Sequence, residues 1–374
     1  MNQSPKKYKE SAGIDWYLIG AIWLLVIFGL VMVSSAGVAI GWQKYQDVYW
    51  HLKHQLLFGV LPGGILFLIL AKIDYHRWEK YAAPLLFISI LLLVLVFIPG
   101  IGAAWGTSHS WINIFGYSLQ PSEIVKLTFL IYLAAWLSSK EDHHLQDLSA
   151  GFLPFVFILA VITALLVLEP DTGTMIIIVV MSLAVYFTAG GRWLHLSWLT
   201  AAGLAGLWAI VKVSPYRAAR FTTFLHPELD PQGIGYQANQ ALLAIGSGGL
   251  FGRGYNHSRQ KFAYLPEVTG DSIFAVVAEE LGFILTVAIV AVYIFIAVRG
   301  FKLAAKCPDA FGRLLVVGII TWFITQAFVN IGAMLGVMPL TGIPLPFISY
   351  GGTALMMSLA AAGILANISK QVNN

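Results

Sequence analysis

Long apolar runs, separated by short polar breaks, fill the chain from residue 14 to residue 367. A helix needs about 20 mostly apolar residues to cross a bilayer. The stretch 151–189 is divided at Glu169-Pro170-Asp171, because a proline between two acids favours a tight turn. The pattern predicts an all-α polytopic membrane protein with ten transmembrane helices, at 14–36, 54–71, 81–100, 121–138, 151–168, 172–189, 193–213, 272–298, 314–338 and 347–367. Residues 214–271 form a long external loop between helices 7 and 8.

Composition supports this class, since 58% of the residues are hydrophobic and only 11% are charged. A soluble domain carries roughly 25% charged residues. Cys307 is the single cysteine, so no internal disulfide is possible. The first apolar run has full spanning length and no convincing cleavage site, so no signal peptide is expected. We expect one membrane domain over 1–374, no organic cofactor and no nucleic-acid partner.

The distribution of lysine and arginine predicts the orientation, because cytoplasmic loops of membrane proteins are rich in both. The terminal tails and the short loops on one side hold thirteen of them, and the short loops on the other side hold only Lys44 and Lys53. Both termini, 1–13 and 368–374, are therefore expected in the cytoplasm. Long loops escape this rule, so the five cations of loop 214–271 do not contradict it and suggest an anionic ligand.

The end of the long loop brings an acid, Asp271, to the start of the eighth predicted helix, with basic residues before it and Glu279 and Glu280 inside the helix. Such an arrangement can support chemistry on a charged lipid. Asp is also a favoured N-cap, and on position alone the two interpretations are equally good.

Two further groups carry ionisable residues at the outer ends of predicted helices. Glu123 and Lys126 are three residues apart on one helical face and can pair. Lys126 already lies inside an apolar run, where ionisable residues usually face a cavity. Asp171 can cap the next helix, and its spacing from Glu169 also permits a divalent cation bound through oxygens.

The long loop contains two predicted short helices. The first, 216–224, would place Arg217 and Arg220 on one side and aromatic rings against lipid. The second opens at Tyr236-Gln237. The glycine-rich run 246–254 lacks the Gly-Lys-Ser/Thr of a nucleotide-binding loop. Near the C-terminus three prolines fix an irregular segment that ends in Ser349 and Tyr350, whose hydroxyls can face a cavity.

Together these motifs resemble the SEDS family (shape, elongation, division and sporulation proteins) over nearly the whole chain. Within the family the run Ser258-Arg259-Gln260-Lys261 is closer to division members than to elongation members. The motifs that carry the resemblance are Gln120-Pro121-Ser122-Glu123 with Lys126, Glu169-Pro170-Asp171, Tyr216-Arg217 with Arg220, Tyr236-Gln237, Leu265-Pro266-Glu267 before Asp271, Glu279-Glu280-Leu281-Gly282, and Pro344-Leu345-Pro346-Phe347-Ile348-Ser349-Tyr350.

The resemblance implies a multi-pass protein of the cytoplasmic membrane that polymerises lipid II into glycan strands at the outer surface. Such proteins work with a class B penicillin-binding transpeptidase and a division complex. The essential loop acid of the family falls on Asp271. The substrate-binding set implied with it is Trp111, Gln120, Ser122, Glu123, Lys126, Glu169, Asp171, Arg217, Arg220, Gln237, Arg259, Lys261, Glu267, Ser349 and Tyr350. Ser110 stands where the family usually has arginine, so a cation is missing there or replaced elsewhere.

As a hypothesis, Asp271 acts as a general base on the acceptor hydroxyl. Arg217, Arg220, Arg259 and Lys261 would balance the leaving pyrophosphate, with Lys126 lining the groove. A Mg²⁺ or Mn²⁺ ion held by Asp271, Glu123 or Glu169 remains open. The alternatives are a lipid II flippase and an elongation-type polymerase; a flippase favours polar groups deep in the helices.

Overall fold

The computed structural model describes residues 13–99, 102–105, 108–114, 117–140, 142–226 and 233–372. Most of the predicted N-terminal tail and residues 227–232 of the predicted long loop lie outside these residues. Helices form at each of the ten predicted positions, and two more form in the long loop. The main elements are α1 (Trp16–Ala36), α2 (Trp50–Lys72), α3 (Ala82–Leu95), β1 (Gly102–Trp105), β2 (Ser108–Ile114), β3 (Tyr117–Leu119), α4 (Pro121–Ser138), α5 (Leu148–Leu168), α6 (Thr172–Thr188), α7 (Trp193–Val213), α8 (Pro215–Leu225), α9 (Ile234–Gly248), α10 (Ile273–Lys306), α11 (Ala310–Met334) and α12 (Gly352–Gln371).

The long apolar helices make this a multi-pass membrane protein. Within the described residues seven helices are long and apolar enough to cross a membrane: α1, α2, α5, α7, α10, α11 and α12. Helices α3 and α6 are apolar but shorter, and α4 has 18 residues with two charged side chains inside it. The number of ten crossings stays a prediction. Short helices at Val38–Tyr45, His76–Lys80 and Asp142–Leu145 lie between the longer ones, and α2 and α5 each contain a π-helical turn, at Leu56–Val60 and Leu148–Phe152.

The centre of the bundle is built by the two C-terminal helices. The most apolar windows of α11 and α12 are 72% and 83% buried, whereas that of α7 is only 6% buried. Helix α2 packs along α12, while α10 and α6 pack along α11. The polar residues that α11 and α12 carry are therefore enclosed by protein, and α7 presents an almost wholly exposed apolar surface, as a lipid-facing helix does.

The loop before α4 contains a small sheet, a local exception to the helical fold that the sequence predicts. Strands β1, β2 and β3 form an antiparallel sheet in that order, with Ile112 opposite Leu119. The cause is a short alternation in β2: Ser110 and Ile112 are buried, and Asn113 is exposed. Strands of three to seven residues are too short to stand out beside apolar runs of 20.

The glycine-rich segment after α9 hydrogen-bonds to the backbone of α10 at a point where that helix is interrupted. Gly282 has φ 77° and ψ −178°, which interrupts the helical hydrogen bonds around it. The amides of Arg253 and Gly254 donate to the carbonyls of Glu279 and Glu280. In return the amides that follow Gly282 donate to the carbonyls of Gly249 and Leu250. Irregular backbone at membrane depth needs such protein partners, so this segment holds the long loop against the N-terminal turns of α10.

Candidate active site

Asp271 lies at the end of the long loop, half-buried, two residues before α10. The N-cap residue of α10 is Ser272, and no side chain caps this helix. Asp271 is therefore not a cap, which removes the structural alternative for it. Its carboxyl oxygens instead lie 3.2 and 3.3 Å from Nε2 of Gln237, an amide of α9 that also donates to the Ser272 hydroxyl.

The surroundings of Asp271 favour its protonated form. Burial raises the pKa of the carboxyl to about 6, and the nearby negative charge of Glu267 acts in the same direction. The hydrogen bonds from Gln237 and Ser272, and the positive charge of Arg220, partly oppose this rise of the pKa. A carboxylate with a pKa near 6 is deprotonated at neutral pH, yet is a stronger base than an ordinary aspartate.

The backbone of Asp271 is held from two sides. Nδ2 of Asn330, on α11, donates to the Asp271 carbonyl at 2.8 Å. The amide of Tyr350 donates to the Thr269 carbonyl at 2.7 Å. A Cβ placed on Gly342 would lie 4.0 Å from an Asp271 carboxyl oxygen, so the proline-rich segment runs past the carboxyl.

Ser349 and Tyr350 belong mainly to the framework of this segment. The Ser349 hydroxyl is buried and accepts from the Leu345 amide at 2.7 Å. Gln55 of α2 donates to the Ser349 carbonyl and accepts from the Gly351 amide. The Tyr350 ring packs against His51 at 5.2 Å. The hydroxyl predicted to face a cavity at Ser349 therefore closes a turn.

Helix α8 is the amphipathic helix that the sequence predicts. Arg217 donates to the Val167 carbonyl and to the Thr172 hydroxyl, at 2.6 and 3.1 Å. Arg220 donates to the Leu340 carbonyl at 3.1 Å. Both guanidinium groups thus hydrogen-bond to protein groups, and Phe221 is 46% exposed. The arginines fasten α8 to the turn before α6 and to the segment beside Asp271.

Glu123 and Lys126 form the predicted pair, but inside the bundle. Nζ of Lys126 lies 2.8 Å from both carboxyl oxygens of Glu123, and the two side chains are 0% and 1% exposed. The same ammonium donates to Gln326 of α11 at 2.8 Å and lies 4.8 Å from the centre of the Trp322 ring. Lys126 therefore does not line an open groove in this structure.

Asp171 and Glu169 have different surroundings. Asp171 caps α6, as predicted, by accepting from the Thr174 amide, and it also accepts from Ser122 and Gln120 at 2.8 and 3.4 Å. Glu169 is 0% exposed, and within the described part of the chain no hydrogen bond reaches either of its carboxyl oxygens. Burial and the neighbouring Asp171 charge raise the pKa of Glu169 to about 9.

Ser110 and Trp111 lie on β2, next to this turn. The hydroxyl of Ser110 donates to the Glu169 carbonyl at 2.9 Å. Trp111 is half-buried and pairs in the sheet with Ala103. The residue that replaces the usual arginine therefore contacts the backbone of the buried acid and brings no charge to it.

The run from Ser258 to Lys261 belongs to a second polar cluster. Lys261 is fully buried, with Nζ 2.9 Å from Glu280, and it also contacts Ser35 of α1 and Asn256. Glu279 accepts from the Ser258 hydroxyl and from two loop amides. Glu279, Glu280 and Lys261 therefore tie the loop to α10, which does not fit the prediction that Lys261 meets a phosphate. Arg259 is exposed and can meet one, and Glu267 is also exposed.

The three carboxylates named as alternative metal ligands lie in different surroundings. Lys126 neutralises Glu123, whereas Glu169 and Asp271 are held by separate elements. Among the residues that the structure describes, no group of three His, Cys, Asp or Glu side chains could hold a metal ion. Binding of a divalent cation by one of these carboxylates stays a prediction.

Sequence reasoning missed the two amides of α11, Gln326 and Asn330. Both are 1% exposed and hydrogen-bonded to the site. The available signal was their spacing, since two amides four residues apart in an apolar span share one helical face.

The fold is a bundle of apolar helices with a buried ion pair, and its long loop ends in an acid of raised pKa; comparison with known proteins agrees with this class of membrane protein. The family model of the FtsW, RodA and SpoVE cell cycle proteins matches residues 15–374, and the chain belongs to this family.

The relatives include proteins of similar length. The chain is 40% identical to "Probable peptidoglycan glycosyltransferase FtsW" of Trichlorobacter lovleyi, over 96% of this chain and 93% of that protein. It is also 40% identical to stage V sporulation protein E of Bacillus subtilis, over 95% and 97% of the two chains.

Two kinds of solved structure are similar. A chain of a peptidoglycan synthase complex, described as coordinating polymerization and crosslinking, has a TM-score of 0.78 at 28% identity, covering 95% of this chain and 97% of that one. The rod shape determining protein RodA of Thermus thermophilus has a TM-score of 0.69 at 28% identity, covering 95% and 96%.

Proposed function

We propose that this protein is a peptidoglycan glycosyltransferase that joins the disaccharide units of lipid II into glycan strands at the outer face of the cytoplasmic membrane. The names of its relatives support this activity over a flippase. The proposal rests mainly on the half-buried carboxyl of Asp271, which accepts a hydrogen bond from Gln237 and whose pKa is raised to about 6.

The proposed reaction needs one base and no covalent intermediate. The carboxylate of Asp271 takes the proton of the acceptor 4-hydroxyl, and that oxygen attacks the anomeric carbon of the donor sugar. The bond from this carbon to the pyrophosphate breaks, and the pyrophosphate leaves with the electron pair. One displacement inverts an α-linked donor into a β-linked product. No step of this mechanism uses a metal.

Positive charge near Asp271 favours the leaving pyrophosphate. Arg220 is close enough to influence the Asp271 carboxyl, and Arg259 is exposed in the same loop. A cleft between α8, α9 and the end of α11 includes Arg220, Phe224, Leu242 and Met338 among its lining residues. An apolar cleft with one cation suits a prenyl chain that ends in pyrophosphate.

We further propose the division role and a transpeptidase partner. The chain is 40% identical to an FtsW and 28% identical to RodA, which supports a division-type polymerase over an elongation-type one. A polymerising membrane protein whose product is crosslinked outside needs a transpeptidase close by. A similar chain belongs to a solved complex described as coordinating polymerization and crosslinking, which supports a crosslinking partner. The class B penicillin-binding transpeptidase that the family resemblance implies is the partner we propose.

The test is reconstitution of the reaction. Purified protein, with and without its cognate transpeptidase, is incubated with labelled lipid II, and the products are separated by gel electrophoresis. We expect long glycan strands that lysozyme digests. Lipid II recovered unchanged in both reactions, from protein that elutes as a folded species, would refute the proposed function.

A further inference from the structure

The apolar helix α11 carries two buried amides one turn apart, and both hydrogen-bond to the segment beside Asp271. Nδ2 of Asn330 donates to the carbonyls of Asp271 and Ile343, each at 2.8 Å. Because a carbonyl can only accept, both partners require the NH₂ group, so the orientation of this amide is fixed. Asn330 thereby holds the backbone of Asp271 and residue 343 at one point.

Gln326 holds the next residue of the same segment. Its Nε2 donates to the Pro344 carbonyl at 2.9 Å. Its Oε1 accepts from Lys126 at 2.8 Å and from the Trp322 indole at 2.7 Å. Lysine and tryptophan only donate, so the orientation of this amide is also fixed. A continuous set of hydrogen bonds therefore runs from the Glu123–Lys126 pair, through Gln326, to residue 344.

We propose that Gln326 and Asn330 are positioning residues, through which the buried Glu123–Lys126 pair fixes the placement of the Asp271 carboxylate. The two amides donate hydrogen bonds to the carbonyls of the consecutive residues Ile343 and Pro344, and Asn330 also donates to the carbonyl of Asp271. This assigns an indirect role to Lys126, which is 0% exposed. The inference rests on Asp271 as the base of the proposed function.

The size of the effect follows from geometry. A misplacement of about 1 Å in a reacting group can lower a rate about 100-fold. Loss of the Asn330 amide removes the hydrogen bonds to the carbonyls of Asp271 and Ile343 together, while the side chains of the substrate-binding surface are unchanged. The turnover number kcat should therefore fall while KM changes little.

Asn367 supplies a matched control for Asn330. It is a buried asparagine of α12 whose amide also bridges two backbone groups, the Tyr75 amide at 3.0 Å and the Ala71 carbonyl at 3.1 Å. Asn330→Leu and Asn367→Leu each remove two buried hydrogen bonds, so both should lower the melting temperature. We expect only Asn330→Leu to lower kcat, by about 10- to 100-fold, with KM within about twofold. Equal kcat in the two variants would overturn the proposal.

A double-mutant cycle tests the role of Lys126. It combines Gln326→Met with the charge-neutral change Glu123→Gln/Lys126→Met. If the pair acts through Gln326, the combined variant should lose no more activity than the more impaired parent. If the fold-loss of activity in the combined variant equals the product of the fold-losses in the two parents, Lys126 acts independently of Gln326. That result would contradict the proposal. This cycle does not depend on whether Asn330→Leu folds.

Hydrogen exchange separates this proposal from the proposed function, because it needs no activity. Asn330→Leu should speed exchange of amides in 266–273 and 343–350, whereas Asn367→Leu should leave them unchanged. If wild-type protein makes no glycan but exchange follows this pattern, the proposed function fails and the positioning contacts stand. Active wild-type protein with unchanged exchange in Asn330→Leu would refute the positioning role.

Discussion

At the scale of single residues, a substitution of Asp271 can test a catalytic role without removing a helix cap, because the N-cap residue of α10 is Ser272. Asp271→Asn keeps the size of the side chain and removes the base. We expect glycan synthesis to fall by about 100- to 10,000-fold, the usual contribution of a general base. The melting temperature at pH 7.5 should equal or exceed that of wild type, since an amide replaces a half-buried charge.

The measurement is polymerisation of labelled lipid II by the purified variant with its transpeptidase bound. Repeating it across Mg²⁺ and Mn²⁺ concentrations distinguishes a base from a metal ligand: a lost ligand is partly rescued by excess metal, and a lost base is not. Near wild-type synthesis by Asp271→Asn would exclude Asp271 as the base.

The pH dependence follows from the pKa of Asp271. A base works only when deprotonated, so activity should rise with pH through about 6 and level off above 7. Hydrogen bonds from Gln237 lower this pKa. Gln237→Leu should therefore move the rising limb to higher pH. Gln240→Leu, three residues further along α9, is the control. If the rising part of the pH–activity profile of Gln237→Leu stays in place or moves to lower pH, the assignment of Asp271 as the base is contradicted.

Glu169 should tolerate loss of its charge. With a pKa near 9, its carboxyl is protonated at pH 7.5, as a buried acid without a cation is expected to be. Glu169→Gln should therefore keep activity within about threefold and keep the melting temperature, since it replaces one neutral polar group by another. A loss of activity comparable with that of Asp271→Asn would show that the ionised form is used, as a metal ligand requires.

Residue spacing predicted local contacts and missed distant ones. The pairing of Glu123 with Lys126 and the cap formed by Asp171 follow from positions three residues apart. Asn330 and Asp271 are 59 positions apart in the sequence. Both hydrogen bonds of the Asn330 amide go to backbone carbonyls, so the side-chain pattern does not indicate them. Lys261 was placed with the external cations for the same reason, because its partner Glu280 lies 19 residues away.

At the scale of elements, the sequence predicted helices where apolar runs are long and failed where structure depends on pairing. The sheet in residues 102–119 joins three short strands. The break in α10 was also missed, because residues 272–298 form one apolar run that reads as an unbroken helix. What interrupts it is a glycine whose neighbours in the helix hydrogen-bond to the backbone of residues 249–254.

Gly282→Ala tests that break. At φ 77° an L side chain is strained, and a Cβ would lie 2.2 Å from the Gly252 amide nitrogen. The variant should lose the contact between the glycine-rich segment and α10, lower the melting temperature and impair activity. Gly203→Ala is the control, since a Cβ there meets nothing within 4 Å. A Gly282→Ala protein as stable and active as Gly203→Ala would show that the break is not required.

At the scale of the whole molecule, the count and order of helices come from hydropathy, while their arrangement comes from packing. Apolar runs alone do not distinguish the enclosed α12 from the exposed α7, since the mean hydropathy of both windows is 1.5. The difference lies in which helices contact them. The polar residues of α11 and α12 are tolerated because protein surrounds them.

The orientation in the membrane is the prediction on which the location of the site depends. The thirteen basic residues on one side predict that both termini lie in the cytoplasm and the loop 214–271 outside. His257 is exposed in that loop, and Lys80 is exposed in a short loop on the opposite side. In a Cys307→Ser background, a cysteine at position 257 should react with an impermeant maleimide in intact cells. A cysteine at position 80 should react only after lysis. The reverse pattern would place Asp271 in the cytoplasm, where a polymerase of external glycan strands could not work.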